Sequence, residues 1–204
     1  MSPPPKAPRR PVQRRAVLRR ESILDATARV LDRAGYDGLT TNAVALEART
    51  AVGSVYQYFR NREALLDGLL ERHGERLGAA IETAIAAGPA QPLEIADRVV
   101  DAFALVWRDE PGYRAAWSAK SVTSLLDRTG AAWGDAFTHR VADLLRTFAP
   151  AWPAARRRVV ARTAVHLLSG VLLAAMASPR RLENAMIAEA KVALRAYLSF
   201  CLAS

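Results

Sequence analysis

Hydrophobic positions at the start of the chain recur with the period of an amphipathic helix. From about Ala16 onward, five apolar residues fall on one helix face: Ile23, Ala26, Val30, Leu31 and Ala34. Gly35 follows directly and can end the helix in the left-handed conformation. The pattern therefore predicts a first helix that ends at about residue 34.

Shorter helical segments follow in quick succession. Thr40 or Thr41 offers a hydroxyl N-cap to a second helix, in which Val44 and Ala45 face inward. After a break near residues 49–50, a third helix is predicted through residues 55–59, and a fourth begins near Asn61, whose side chain can cap it. Two short helices joined by a tight turn have the organisation of a helix-turn-helix.

Past residue 75 the chain consists of alanine- and leucine-rich helical stretches. Proline and glycine interrupt them at residues 88–89, 92, 111–112, 150, 153 and 179. No segment alternates with period two, so the sequence predicts an all-α fold. We predict three parts: a flexible basic arm over residues 1–16, a three-helix helix-turn-helix domain over residues 17–75 with its motif at about 41–60, and an all-helical domain over residues 76–204.

Positive charge is concentrated at the N-terminus. The chain has 29 Lys and Arg against 20 Asp and Glu, a net charge of +9, which favours a polyanionic partner. Residues 1–20 contain seven basic residues and no acid, so they carry +7 and the rest of the chain +2 (9 − 7). Three interpretations of this proline-rich arm stand: a solubilising tail or a start codon assigned too early, an arm that contacts DNA phosphates or the minor groove, and an organellar transit peptide.

The remaining composition favours a soluble cytoplasmic protein. Cys201 is the single cysteine and excludes an intrachain disulfide, as is typical of a reducing compartment. The longest apolar run, residues 164–177, has 14 residues, whereas about 20 are needed to span a bilayer. The N-terminus has no apolar segment of a secretory signal. We therefore expect no membrane partner.

The stretch TAVGSVYQYFRNRE, residues 50–63, combines small, aromatic and basic residues. A recognition helix brings its backbone close to a duplex while its side chains reach phosphates and base edges. Gly53 and Ser54 permit the approach, and the hydroxyls of Tyr56 and Tyr58 can donate to phosphates. Phe59 can point into the core of the small domain. Arg60 and Arg62 add cationic groups to the same surface.

The region from residue 23 to residue 66 resembles the DNA-binding domain of the tetracycline-repressor (TetR) family of bacterial transcriptional regulators. The motifs are AGY at 34–36, TT at 40–41, VGSVYQYF at 52–59 and NREALL at 61–66. The resemblance implies DNA-contacting roles for residues of both short helices and of the start of the fourth: Thr41, Asn42, Val52, Gly53, Ser54, Tyr56, Gln57, Tyr58 and Arg62. Gln57 could instead simply face solvent.

The turn of this motif departs from the family pattern. Arg49 stands where the family usually has glycine, and Ala51 where it often has serine. If Arg49 adopts a positive φ, the conformation costs on the order of 1 kcal/mol relative to glycine. Without a serine hydroxyl, the third helix begins with a weaker cap.

The resemblance also implies a C-terminal domain that binds a small effector and forms a homodimer through its last two helices. Pocket candidates are the aromatic residues of the middle helices with a few polar neighbours: Phe103, Trp107, Tyr113, Trp117, Trp133, Phe137, His139, His166 and Met176. Interface candidates recur at helical spacing in the last two segments: Leu168, Leu172, Ala175, Met186, Ala193, Leu194 and Tyr197. Both sets could instead be intrachain core.

Catalytic machinery is not visible in the sequence. The three histidines lie far apart and none has a metal-ligand residue at useful spacing; nucleophile-elbow, phosphate-loop and dinucleotide motifs do not occur. We therefore predict no enzyme, no cofactor and no metal. The predicted function is a DNA-binding transcriptional regulator, a repressor that binds a palindromic operator as a dimer and is released by a small molecule. The alternative is an architectural or co-regulatory DNA-binding protein without an effector.

Overall fold

The computed structural model of the chain describes residues 10–88, 91–119 and 129–203, and side-chain environments over 14–88, 91–117 and 135–203. This described part contains nine α-helices and no β-strand, which confirms the all-α prediction. The helices are α1 (Arg10–Ala34), α2 (Thr41–Glu47), α3 (Val52–Tyr56), α4 (Arg62–Ala86), α5 (Pro92–Asp109), α6 (Tyr113–Ala119), α7 (Thr129–Phe148), α8 (Ala154–Met176) and α9 (Arg180–Ala203).

The chain divides into two compact units. Unit 1 contains the residues up to Glu71 together with Pro111–Ala119, and unit 2 contains Arg72–Glu110 and the helices from α7 onward. The sequence placed the boundary at residue 75, within α4, and assigned residues 111–119 to the second domain. The structure groups that segment, which includes α6, with unit 1.

The first helix begins earlier than the sequence indicated. α1 starts at Arg10 rather than near residue 16, so residues 10–16 of the predicted flexible arm are helical. Pro11 is compatible with this start because a proline in the first turn gives up no intrahelical hydrogen bond. Residues 1–9 of the arm lie outside the described residues.

Unit 1 is built around the inner face of α1. Its buried side chains come from α1 to α4, from the loops that join them and from α6, and they include Ile23, Leu24, Leu31, Leu39, Val44, Val55, Phe59, Leu65, Leu69 and Ala116. The predicted ends of the helices are confirmed. Gly35 has φ +64, the Thr40 hydroxyl accepts a hydrogen bond from the Ala43 amide at 3.0 Å, and Asn61 Oδ1 accepts one from the Ala64 amide at 2.9 Å.

The turn before α6 is held against α1. The Gly112 amide donates to the Asp32 carboxylate at 2.9 Å, and Gly112 has φ +73. A Cβ on Gly112 would lie 2.7 Å from Ala28 Cα, closer than real contacts allow. Glycine is therefore required here both for its conformation and for the close approach of two backbones.

Unit 2 packs α8 against α7 and α9, and α9 against α5. Three ion pairs join α5 to α9: Arg108–Glu183 at 3.2 Å, Lys191–Asp101 at 2.6 Å and Arg195–Asp97 at 3.3 Å. Glu183 is only 2% exposed, and the guanidinium of Arg108 compensates part of the cost of burying its carboxylate. Helices α5 and α9 are thereby fixed in register.

Helix α8 is long and apolar enough to cross a membrane. Among the helices that the structure describes, it is the one with this length and composition. The 14-residue run noted in the sequence forms part of this 23-residue helix. Its Leu168 and Leu172 side chains are buried in unit 2. Core helices of soluble proteins share this property.

Candidate nucleic-acid interface

Helices α2 and α3 pack against each other with their apolar sides inward. Val44 and Ala45 of α2 and Val55 of α3 are buried. The outward side carries exposed residues of both helices and of the residue that follows α3: Asn42, Leu46, Gly53, Tyr56 and Gln57. Four of these five belong to the predicted DNA-contacting set. Leu46, 83% exposed, was missed because a leucine at helical spacing usually indicates core.

The turn between α2 and α3 closes the end of α2 around Arg49. The Thr50 amide donates to the Ala45 carbonyl at 3.0 Å, and the Arg49 amide donates to the Leu46 carbonyl at 3.1 Å. This pair of bonds is the Schellman closure, whose left-handed position normally holds glycine. Arg49 has φ +51, so the positive φ considered from the sequence is confirmed. Ala51 caps α3 without a side-chain hydrogen bond, as the missing hydroxyl predicted.

A hydrogen bond links the two helices at their exposed side. The Thr41 Oγ1 and the Tyr56 hydroxyl oxygen lie 3.1 Å apart, and the Tyr56 residue is 53% exposed. The first residue of α2 and the last residue of α3 therefore meet. This bond holds the Tyr56 hydroxyl beside the start of α2.

Gly53 lies in α3 with open space beside it. A Cβ built on Gly53 meets no atom within 4 Å, and the residue is exposed. Alanine would be the better helix former by about 0.8–1.0 kcal/mol in a helix interior. Internal packing therefore gives no reason for a glycine here, whereas close approach of an external partner would give one. Val52 and Ser54, its neighbours in the predicted set, are half-buried.

Arg62 begins α4 and is engaged by its own neighbours. Its guanidinium Nε donates to Glu63 Oε1 at 3.0 Å and its Cζ lies 4.7 Å from the centroid of the Tyr36 ring. The hydrogen bond to Glu63 and, to a smaller extent, the electrostatic effect of Tyr36 raise the pKa of Arg62 above its ordinary value. Arg62 is nevertheless exposed, and so is Arg60, while Tyr58 is half-buried against the core of unit 1.

Two arginines of α1 fix the position of α2. Arg29 Nε and Arg33 Nη1 donate to the two carboxylate oxygens of Glu47 at 2.7 and 2.9 Å. These hydrogen bonds hold the pKa of Glu47 below its ordinary value, and the bond from Arg29 has the largest effect. Sequence reasoning did not find this anchor because the two arginines lie 18 and 14 positions from Glu47, too far apart for a local pattern to pair them.

The predicted pocket residues lie in several places. Phe103 and Trp107 form an edge-to-face pair on α5 with ring centroids 6.3 Å apart, and Tyr113 and Trp117 stack at 5.7 Å in unit 1. His139 and His166 are exposed, and Met176 is buried. The side chain of Trp133 lies outside the described environments. Among the members of this set whose side chains the structure describes, Phe137 alone lines the cavity in unit 2.

That cavity has a volume of about 70 Å³ and an almost entirely aliphatic lining. The lining residues are Ile85, Pro92, Ile95, Ala96, Val99, Phe137, Val141, Leu144, Leu145, Phe148, Ala164, Val165, Leu168, Leu194 and Leu198. A search for aromatic residues could not find them, because aliphatic residues at helical spacing look like any core. The cavity shows that some of this core is incompletely filled.

The predicted interface residues are mostly turned inward. Leu168, Leu172, Ala175 and Leu194 are buried within unit 2, and Met186, Ala193 and Tyr197 are half-buried. The apolar residues that α8 and α9 expose are a different set: Val159, Leu173, Leu182, Val192 and Phe200. Apolar residues recur on more than one side of both helices, so spacing alone did not separate the inner from the outer face.

Comparison with known proteins places the whole described fold in one family. Residues 23–69 match the family model "Bacterial regulatory proteins, tetR family", and residues 92–198 match "Tetracyclin repressor-like, C-terminal domain". The chain is 41% identical over 70 residues to the HTH-type transcriptional repressor KstR of Mycolicibacterium smegmatis. That match covers 34% of each protein, so the chain spans about a third of the length of this relative.

Solved structures extend the likeness to nearly the full chain. A TetR-family transcriptional regulator from Streptomyces coelicolor superimposes with a TM-score of 0.68 at 30% identity, covering 90% of this chain and 99% of that one. The structure of a SmeT–triclosan complex has the same fold, with a TM-score of 0.65 at 22% identity over 89% of this chain and 90% of that one. With both of its units matched, the chain belongs to the TetR family of bacterial transcriptional regulators.

Proposed function

We propose that this protein is a dimeric transcriptional repressor that binds a palindromic operator in the bacterial cytoplasm and leaves it when a small molecule binds unit 2. The observation that carries the proposal is the exposed side of α2 and α3, where Gly53 has no packing role and Tyr56 presents a hydroxyl. Membership of a family of transcriptional regulators supports the same function.

On this proposal α3 lies in the major groove. Gly53 brings the backbone close to the base edges, and Asn42 and Gln57 are exposed beside it with side chains that can hydrogen-bond bases. The Tyr56 hydroxyl, already held by Thr41, donates to a phosphate. Arg62 binds a DNA phosphate when its guanidinium gives up the hydrogen bond to Glu63. Thr41, Val52, Ser54 and Tyr58 complete the contact surface from half-buried positions.

Dimerisation is supported by the apolar face that α8 and α9 expose. Val159 is 65% exposed, Val192 59% and Phe200 76%, and such side chains lose favourable burial when they remain in water. Gly170 lies on the exposed part of α8, and a Cβ there would meet no atom within 4 Å. A small residue at that point lets a partner helix approach closely. A two-fold dimer would then carry two α3 helices to half-sites about 34–36 Å apart.

An effector is supported by the cavity in unit 2, which offers a small molecule an apolar space. The SmeT–triclosan complex indicates that the fold accommodates a small molecule. On this proposal ligand binding favours a dimer geometry that does not match the operator spacing.

The experiment that tests the proposal is a footprint of the purified protein on DNA from upstream of its own gene, at about 0.15 M salt with excess random duplex. We expect two symmetric protected half-sites bound by a dimer, or the same pattern on sequences selected from a random pool. Specific binding by a monomer to a site without two-fold symmetry would refute the proposal.

A further inference from the structure

The cavity of unit 2 has a buried floor and a half-buried rim. The floor is formed by α5, α8 and α9 through buried residues such as Ile95, Ala96, Ala164 and Val165. The rim is formed by the end of α4, the start of α5 and one side of α7, through half-buried residues: Ile85, Pro92, Phe137, Val141, Leu144 and Phe148. A ligand would therefore enter beside α7 and come to rest against α8.

No lining residue carries a charged or hydrogen-bonding side chain. Two charged residues next to the lining in sequence, Asp97 and Arg140, are engaged elsewhere. Asp97, next to Ala96, pairs with Arg195 at 3.3 Å. Arg140, next to Val141, donates two hydrogen bonds to Glu82 at 2.6 and 2.7 Å. A charged ligand would leave its solvation shell and find no counter-charge among the lining side chains, which is strongly unfavourable.

The size of the cavity limits the ligand further. About 70 Å³ is roughly half of the ~150 Å³ apolar cavity that admits benzene or xenon in an engineered protein. A single small ring can enter if rim side chains rotate. Phe137 and Phe148 are the largest of these rim side chains, and each is partly exposed.

We propose that the effector cavity of this regulator takes a small uncharged hydrocarbon-like molecule, with a single aromatic ring as the upper size limit, and excludes carboxylates of the same shape. The inference deepens the proposed function and rests on it for the effect on DNA. Binding of such a molecule to unit 2 does not depend on it. Affinity comes from removing apolar surface from water into a space that is already apolar.

The test compares toluene with benzoate, which have the same ring and differ by a methyl group against a carboxylate. Thermal unfolding of the full chain is followed at rising concentrations of each. We expect toluene at about ten times its Kd to raise Tm by about 3 °C or more, and benzoate at the same concentrations to leave Tm unchanged. Equal shifts with both probes, or a shift with benzoate alone, would overturn the proposal.

Variants locate the binding site. Ala164→Leu fills the floor of the cavity and is expected to abolish the toluene shift, whereas Ala136→Leu, a matched change at an exposed position of α7, is expected to keep it. If Ala164→Leu does not fold, Val165→Thr adds a hydroxyl with nearly the same shape and is expected to weaken toluene about tenfold. An undiminished toluene shift in these floor variants would mean that toluene binds elsewhere.

Release of operator DNA is measured separately. Toluene that shifts Tm without displacing DNA would refute its role as effector and leave the cavity assignment standing. A palindromic footprint together with no toluene shift would refute the cavity assignment and leave the repressor function standing.

Discussion

Replacing Gly53 by alanine should separate DNA binding from stability, because the two effects have opposite signs. The new Cβ meets no atom of the chain within 4 Å, so there is no steric cost. Alanine is favoured over glycine by about 0.8–1.0 kcal/mol in a helix interior, and somewhat less in a first turn, which gives an expected gain of about 0.5–1 kcal/mol. For a chain of this size such a gain raises Tm by about 1–4 °C.

The same methyl group should weaken operator binding. If α3 lies in the major groove with its backbone near the bases, the alanine methyl group occupies the open space beside residue 53 and increases the distance between the α3 backbone and the DNA. We expect at least a tenfold loss of affinity, about 1.4 kcal/mol, in a fluorescence-anisotropy titration at fixed salt. Unchanged affinity would refute the placement of Gly53 at the DNA, and a lowered Tm would refute the claim that its surroundings are open.

Gly38→Ala is the matched control within the same unit. There the Cβ would lie 2.4 Å from Ala34 Cβ and 2.8 Å from the Ala34 carbonyl oxygen. Overpacking of this kind typically costs about 1–3 kcal/mol, so this variant should lose stability. The operator affinity of its folded fraction should not change, because Gly38 lies outside α2 and α3.

Four further changes follow from the same structure. Arg49→Gly relieves a left-handed arginine and should stabilise the fold by about 0.5–1 kcal/mol in urea unfolding; no gain would mean that the turn is not strained. Tyr56→Phe removes the hydroxyl that meets Thr41 and should weaken operator binding several-fold, with little change in Tm; unchanged affinity would place that hydroxyl away from DNA. Gly170→Leu should shift sedimentation equilibrium towards monomer, whereas an unchanged dimer would place the interface elsewhere. The pKa of Glu47 is lowered in the folded state, so its contribution to the free energy of unfolding is present above its unfolded pKa and is lost as pH falls through the folded pKa. The stability of Glu47→Gln should therefore fall less steeply on acidification than that of the native chain. Identical pH profiles would contradict the anchoring role.

Features governed by a few adjacent residues could be predicted from the sequence. Gly35, Thr40 and Asn61 were assigned to helix ends from their own chemistry, and each has the predicted conformation or hydrogen bond. The positive φ of Arg49 was considered for a different reason, because the family that the sequence resembles usually has glycine at this position. Four residues of the outward side of α2 and α3, Asn42, Gly53, Tyr56 and Gln57, were included through the family resemblance, whereas Leu46 was not.

Features that depend on distant partners could not be predicted. The contact between Asp32 and Gly112 joins positions 80 residues apart, and nothing near either residue indicates the other. The inner face of α8 was not separated from its outer face, since Leu168 is buried and Leu173 is 39% exposed on a helix with apolar residues on more than one side. The cavity escaped notice because its size is set by how five helices fit together.

The assignment of α6 to unit 1 has a consequence for biosynthesis. The ribosome makes Arg72–Glu110, which belong to unit 2, before it makes the segment that closes unit 1. Until Gly112 has left the exit tunnel, the Asp32 carboxylate lacks the backbone amide that donates a hydrogen bond to it, and the surface around Ala28 is uncovered. At about 5–20 residues per second the gap between Glu71 and Ala119 corresponds to a few seconds. The DNA-reading half of the molecule is therefore begun first but cannot be finished until part of the other half has been synthesised.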